Sequence, residues 1–305
     1  MTPRTLARPF TAGAACLLTM ALAGDAAALD RKDCERDYKP QVGQSGKDVV
    51  WVPTPDELVQ RMLRMAKVTP QDLVYDLGAG DGKIAIAAGK IGANAVGIEY
   101  NPDMAKLANC LVGAEGVAGK TKIIQGDIFK EDFSKATVVT MYLLPELNLC
   151  VRHRILAMKP GTRVASHQFT MGDWEADETN EIEYRTAYLW IVPARVDGTW
   201  ALREDGSTTT INLTQMFQKV SGDVVSGASR QPLVGATLRG DQLRFAFNDA
   251  KGITRTFTGT VRGNEWVGTV KSGNTETKAT ANLQGALRAA AWAEMLPQCG
   301  RFYGK

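Results

Sequence analysis

Apolar residues between Leu73 and Phe169 come in short unbroken runs, separated by stretches in which they recur at helical spacing. The runs Leu73 to Leu77, Asn94 to Glu99, Thr121 to Gln125, Thr137 to Tyr142 and Arg163 to Phe169 read as strands buried on both faces. Residues 83–91, 102–113 and 146–158 read as the helices between them. Strands without polar alternation, separated by helices, predict a mostly parallel sheet covered on both sides, which is a doubly wound α/β fold. Tyr184 to Val192, after a long polar stretch, and Thr199 to Arg203 are candidates for antiparallel sixth and seventh strands, and the second of these can equally begin a new domain. Upstream, Thr54-Pro55-Asp56-Glu57 predicts a helix start, with Thr54 as N-cap, Pro55 at the first helical position and Glu57 closing a capping box. Leu58, Met62, Leu63 and Met65 then carry the apolar face of that helix.

The pattern changes near Gly198. From there to Leu283, short Thr-, Val- and Phe-rich runs alternate apolar with polar positions, and turn pairs such as Asp205-Gly206, Arg239-Gly240 and Gly263-Asn264 separate them. This predicts a smaller antiparallel β domain, a barrel or a sandwich. The Ala-rich stretch Leu283 to Leu296, with Trp292 and Met295, reads as a packed helix. At the other end, Arg4 and Arg8 precede an apolar stretch from Phe10 to Ala23, and Ala26-Ala27-Ala28 supplies small residues for cleavage before Leu29. The chain therefore divides into a signal peptide (1–28), a polar N-terminal segment (29–50), an α/β domain (51–197), the β domain (198–283) and a C-terminal helix and tail (284–305). An uncleaved signal anchor is the rival reading of the first segment. Either way the expected location is outside the cytoplasm, in the periplasm or anchored facing it.

Composition narrows the partners. A net charge of +3 over 305 residues, with no basic tract, gives no reason to expect DNA or RNA. Two histidines and no zinc-like spacing argue against a metal centre. After residue 28 the chain keeps Cys34, Cys110, Cys150 and Cys299. Cys34 and Cys299 fall outside the expected elements, so an end-to-end disulfide between them suits an oxidising compartment, with two unrelated thiols as the alternative. Cys110 and Cys150 fall on apolar helical faces and read as core.

The chemistry concentrates at Asp76-Leu77-Gly78-Ala79-Gly80-Asp81-Gly82, where the first strand passes into a helix. In an open α/β sheet a glycine-rich turn at this place marks a nucleotide-like ligand. A pyrophosphate would be repelled by the paired carboxylates Asp76 and Asp81, whereas a ligand carrying a sulfonium and an ammonium would be held by them. That ligand is S-adenosyl-L-methionine. Glu99, ending the second strand about 20 residues beyond the glycines, stands where a carboxylate accepts ribose hydroxyls, with Tyr100 next to it. Asp127 and Ile128, after the third strand, are placed to border adenine.

This order of motifs, from Val50 to roughly Val196, resembles the class I, seven-β-strand methyltransferases. Trp51-Val52-Pro53-Thr54-Pro55, Tyr142-Leu143-Leu144-Pro145-Glu146-Leu147-Asn148 and Ser166-His167-Gln168-Phe169 more narrowly resemble the protein-lysine methyltransferases related to the ATP synthase c-subunit lysine methyltransferase. The resemblance implies a Rossmann-like seven-stranded sheet, transfer of a methyl group to a protein lysine, and a Pro-Thr-Pro segment lying over the cofactor, which makes Thr54 a contact. Gln168 stands where that branch shows an acid.

The expected site therefore has Thr54, Asp76, Gly78, Gly80, Asp81, Glu99, Tyr100, Asp127 and Ile128 on the cofactor. Tyr142 and Asn148 would orient the acceptor amine, whose proton is shed by desolvation rather than to a dedicated base. His167 is a weaker candidate for an orienting or basic group. The partner is a protein with an accessible lysine, and export points to exported or membrane proteins. Two other readings stay open: an exported, non-catalytic binding module on a methyltransferase fold, and a small-molecule methyltransferase.

Overall fold

The computed structural model describes Met1 and residues 30–226, 229–249, 251–292 and 299–303, so the targeting segment lies outside the described residues. After a one-turn helix α1 (Arg31–Cys34) and helix α2 (Asp56–Met65), strands and helices alternate: β1 (Leu73–Leu77), α3 (Lys83–Ile91), β2 (Asn94–Glu99), α4 (Pro102–Ala114), β3 (Thr121–Gln125), β4 (Val138–Met141), α5 (Pro145–Leu156) and β5 (Arg163–His167). Two antiparallel strands, β6 (Glu178–Ile182) and β7 (Arg185–Ile191), complete a seven-stranded sheet of order β3-β2-β1-β4-β5-β7-β6. The chain moves outward from β1 to β3 and then crosses to β4 on the other side of β1. The crevice of the sheet opens at that reversal, outside the carboxyl ends of the strands.

Tyr184 to Val192 holds β7 as expected, and the other antiparallel strand of this sheet differs from the expectation. The polar run Glu178–Ile182 is the missing edge strand; it pairs only with β7, so its sequence lacks the apolar signature of a buried strand. Thr199 to Arg203 belongs to the second sheet. The expected capping box is also absent. Pro55 is the N-cap of α2 without a side-chain bond, because the Thr54 hydroxyl is engaged elsewhere.

Residues Gly198 to Leu283 form a nine-stranded antiparallel sheet. Its two outermost strands, Ser229–Pro232 and Val234–Arg239, are joined through Leu233, whose N–H donates to Gly222 O at 2.9 Å. That contact brings the edges together into a near-barrel and leaves little unpaired edge. Stacked Trp200 and Trp266, at 4.2 Å between centroids, with Phe245 and Phe257, fill its interior.

Both faces of the seven-stranded sheet are covered, by different means. α2, α3 and α4 pack on one face. α5 packs on the other, where Trp174 and Trp190 are fully buried. No helix lies between β5 and β6 to cover these indoles. The β domain does it instead: Phe217 stacks on Trp174 and Trp292 stacks on Phe217, at 5.9 and 5.3 Å. The backbone of residues 286–290 is not helical, contrary to the Ala-rich pattern. It is held along the barrel by Arg288, whose N–H donates to Asp197 O and whose guanidinium donates to Asp197 and Leu213 O. Residues 293–296, the end of the expected helix, lie outside the described residues.

The cysteines pair differently from the expectation. Cys34 is bonded to Cys110 and Cys150 to Cys299, each with a Cα separation of 5.6 Å. α1 packs beside α4, and the turn Gly300–Tyr303 packs beside α5, where Phe302 stacks on Phe129 and the Tyr303 hydroxyl donates to Cys150 O at 2.7 Å. Each terminal segment thus lies on its own helix, and the end-to-end bond has no geometry. Replacing Cys34 and Cys110 together by alanine is expected to lower the unfolding free energy by about 2–4 kcal/mol, measured as a shift of the urea midpoint.

Candidate active site

The carboxyl ends of β1, β2 and β4 open into a cavity of about 350 Å³. Its floor is the turn after β1. Gly78 and Gly80 have φ of +75° and +56°, a region that side-chain-bearing residues rarely adopt. A Cβ on Gly80 would lie 2.6 Å from the indole nitrogen of Trp51, so the turn must be bare backbone for Trp51 to lie over it.

Three carboxylates meet here. Asp76, at 2% exposure, accepts from the Thr140 hydroxyl at 2.7 Å. Burial pushes its pKa up to about 7, and the nearby charges of Asp81 and Glu99 push the same way. Asp81 and Glu99 are likewise raised by burial. Glu99 accepts from backbone donors, among them Gly80 N–H to Oε2 at 2.8 Å and Asn101 N–H to Oε1 at 2.9 Å. A carboxylate has about four acceptor sites, enough for vicinal hydroxyls as well. Desolvated acids gathered in one mouth cost free energy that a bound cation recovers. An adenosyl ligand with a sulfonium and an ammonium fits this donor set.

The structure brings Thr54, Asp76, Gly78, Gly80, Asp81, Glu99, Tyr100, Asp127, Ile128 and Tyr142 to the walls of this one cavity. It does not bring Asn148 there. Asn148 is fully buried, and its amide donates to Phe169 O and Thr170 O at 3.2 and 3.1 Å. Its amide nitrogen thus holds the turn after β5, while its buried Oδ1 has no hydrogen-bond partner among the described residues.

Sequence reasoning missed the strap over the cavity. Residues 43–51 form a small hairpin, with Gly43 N–H donating to Trp51 O at 2.8 Å and Trp51 N–H to Gln44 O at 2.9 Å. Lys47 reaches from it to Asp127 at 3.0 Å, with its ammonium 4.9 Å from the Tyr100 ring centroid. A polar loop carries no periodic signal, and nothing in the sequence linked Lys47 to a residue 80 positions away. Phe169, the last residue of the Ser-His-Gln-Phe motif, also lines the cavity.

This sheet order, with a carboxylate-lined cavity at the switch point, defines an S-adenosylmethionine-dependent methyltransferase. A family model, the ANTKMT methyltransferase domain, matches residues 76–178. A protein-lysine N-methyltransferase of Saccharolobus islandicus (strain REY15A) is 42% identical over 151 residues, 47% of this chain and 94% of that protein. The ATP synthase c-subunit lysine N-methyltransferase of Mus musculus is 32% identical over 146 residues, covering 48% of this chain but only 59% of its own length. Among solved structures, an RNA methyltransferase from Salinibacter ruber in complex with S-adenosyl-L-homocysteine is 46% identical, with a TM-score of 0.47, covering 48% of this chain and 96% of that one. The chain belongs to the methyltransferase family of the Saccharolobus islandicus protein. The reading as a non-catalytic binding module is thereby set aside.

Two outcomes are expected in calorimetric titration. Glu99→Ala removes both ribose acceptors and weakens S-adenosylhomocysteine binding by roughly 1.5–3 kcal/mol per charged hydrogen bond lost. S-adenosylmethionine binding strengthens as pH rises toward about 7, because its positive charge favours ionised Asp76. Below that pH the protonated carboxyl must first give up its proton. Asp76→Asn flattens that part of the profile, and an unaltered profile would remove Asp76 as its source.

Proposed function

We propose that the protein transfers the methyl group of S-adenosylmethionine to the ε-amino group of lysine in exported or membrane proteins. The observation that carries this reading is the wall where β4 ends. Tyr142, Leu143, Leu144, Leu147 and Phe169 together give the cavity an apolar side containing one phenol. Such a wall suits the aliphatic stem of a lysine.

When bound, the cofactor supplies an electrophilic methyl, and the chain's residues do the rest. The apolar wall desolvates the incoming ammonium and lowers its pKa from about 10.4, so that a free amine lone pair is presented. Burial raises the pKa of Tyr142, so its hydroxyl is neutral and serves as an orienting hydrogen-bond partner. Asp76, Asp81 and Glu99 hold the cationic and ribose portions, so that alignment is set before transfer.

Export is supported by the arginine-flanked apolar segment at the start of the sequence and by the pairing of Cys34, Cys110, Cys150 and Cys299 in two disulfides. The relatives named for lysine methylation support this acceptor class, as does the apolar wall.

The test is incubation of the purified chain with tritiated S-adenosylmethionine and separated envelope, soluble-protein and nucleic-acid fractions, followed by acid hydrolysis. Label recovered as methyl-lysine is expected. Label confined to nucleic acid or to small molecules would overturn the acceptor class. Tyr142→Phe is expected to lower turnover roughly 10- to 100-fold with cofactor affinity retained, read as kcat against the S-adenosylhomocysteine Kd.

A further inference from the structure

We propose that His167 is a positioning residue for the transfer, a platform that fixes the Tyr142 ring and ties it to the segment entering α2. The inference rests on the lysine-methyltransferase reading above. His167 ends β5 at 2% exposure and is not part of the cavity wall, so it acts through its neighbours. The parallel register of β4 and β5 pairs Met141 with Ser166, which places the next residues, Tyr142 and His167, side by side. Their rings lie 3.8 Å apart between centroids at an interplanar angle of 32°. On its other side, His167 Nδ1 is 3.1 Å from the hydroxyl of Thr54, and both Thr54 and Tyr142 line the cavity. One imidazole thus connects the segment entering α2 to the phenol on the cavity wall.

The backbone after His167 is over-determined in the same place. Gln168 adopts φ +66°, a left-handed conformation unusual for a residue with a side chain. It is held there by its own N–H donating to Thr186 O at 2.7 Å and its side-chain oxygen accepting from Thr186 N–H at 3.2 Å. Phe169 N–H donates to His167 O, while the Ser166 hydroxyl and the Asn148 amide both donate to Phe169 O. Strain persists only where surrounding contacts enforce it, and here they fix the imidazole and deliver Phe169 to the cavity. Burial, with a smaller contribution from Arg185, also lowers the His167 pKa to about 4, far too weak a base for a lysine ammonium.

The experiment separates ring, hydrogen bond and base. His167→Ala, His167→Phe, His167→Asn and Thr54→Val are compared with wild type in two assays. One is calorimetric binding of S-adenosylhomocysteine, which also reports folding. The other measures kcat and KM for tritium transfer to an array of short lysine-centred peptides. The alanine variant is expected to lose kcat by roughly 10- to 100-fold while binding S-adenosylhomocysteine within about twofold of wild type. The phenylalanine variant, which restores a ring against Tyr142, should exceed alanine by about tenfold, and the asparagine variant, which restores only a polar partner for Thr54, should not. Thr54→Val keeps volume and is expected to lower kcat severalfold, so the link through Thr54 is tested even where phenylalanine fails to bind the cofactor product. A phenylalanine variant that binds normally yet is as slow as alanine would overturn the role of the ring as a platform for Tyr142. Wild-type kcat in both His167→Ala and Thr54→Val would also overturn it, leaving the lysine reading intact. Wild-type protein that binds S-adenosylhomocysteine but labels no peptide would overturn the lysine reading, and this inference with it.

Discussion

Much of this molecule follows from three acids gathered in one mouth, of which only Asp81, among the described residues, has the charges of Lys83 and Arg31 acting on it. Asp76 is buried against Thr140, and Asp81 and Glu99 share its mouth. Backbone N–H groups partly offset the lost water at Asp81 and Glu99, and the Thr140 hydroxyl does so at Asp76. The residual repulsion makes the pocket selective by charge: anionic nucleotides are disfavoured and a sulfonium is favoured. The bare turn at Gly78 and Gly80, and Trp51 lying over it, keep this cluster away from bulk solvent, which strengthens every electrostatic contact inside.

Around that cluster the chain solves a covering problem in an unusual way. The helices between the strands cover one face fully and the other only in part. The β domain contributes Phe217, and the segment after it contributes Trp292, so the apolar face over Trp174 and Trp190 is closed by parts of the chain distant in sequence. Polar contacts secure the junction: the Trp174 indole donates to Gln218, and Ala194 N–H to Gly240 O. The second sheet is therefore part of the core of the enzyme as well as a near-closed barrel of its own.

How much was legible in the sequence follows from the range of each interaction. The apolar strands, the glycine turn and Glu99 announce themselves locally, since burial on both faces and a tight turn demand particular residues nearby. Edge strand β6 did not, because a half-solvated strand can be polar. Thr54 carried an N-cap signature, yet Pro55 is the N-cap and the Thr54 hydroxyl found His167, 113 residues away, a partner that only the folded sheet supplies. The amide of Asn148 and the ammonium of Lys47 have the same history: their partners are tertiary. The cysteines show it most plainly, for helical faces that read as core proved to be the faces on which the terminal segments rest.

Those two cross-links have a mechanical consequence. The loops they close, 34–110 and 150–299, do not interleave, so the folded chain is two covalent rings in series joined by residues 111–149. The first ring carries Thr54, the glycine turn and Glu99; the second carries His167 and the whole barrel. Tension applied between the ends bypasses both rings and falls on the connector, which holds Asp127, Ile128 and Tyr142. An unfoldase or a translocation motor pulling on this chain would draw out Asp127, Ile128 and Tyr142 while Glu99 and the glycine turn remained inside a closed loop.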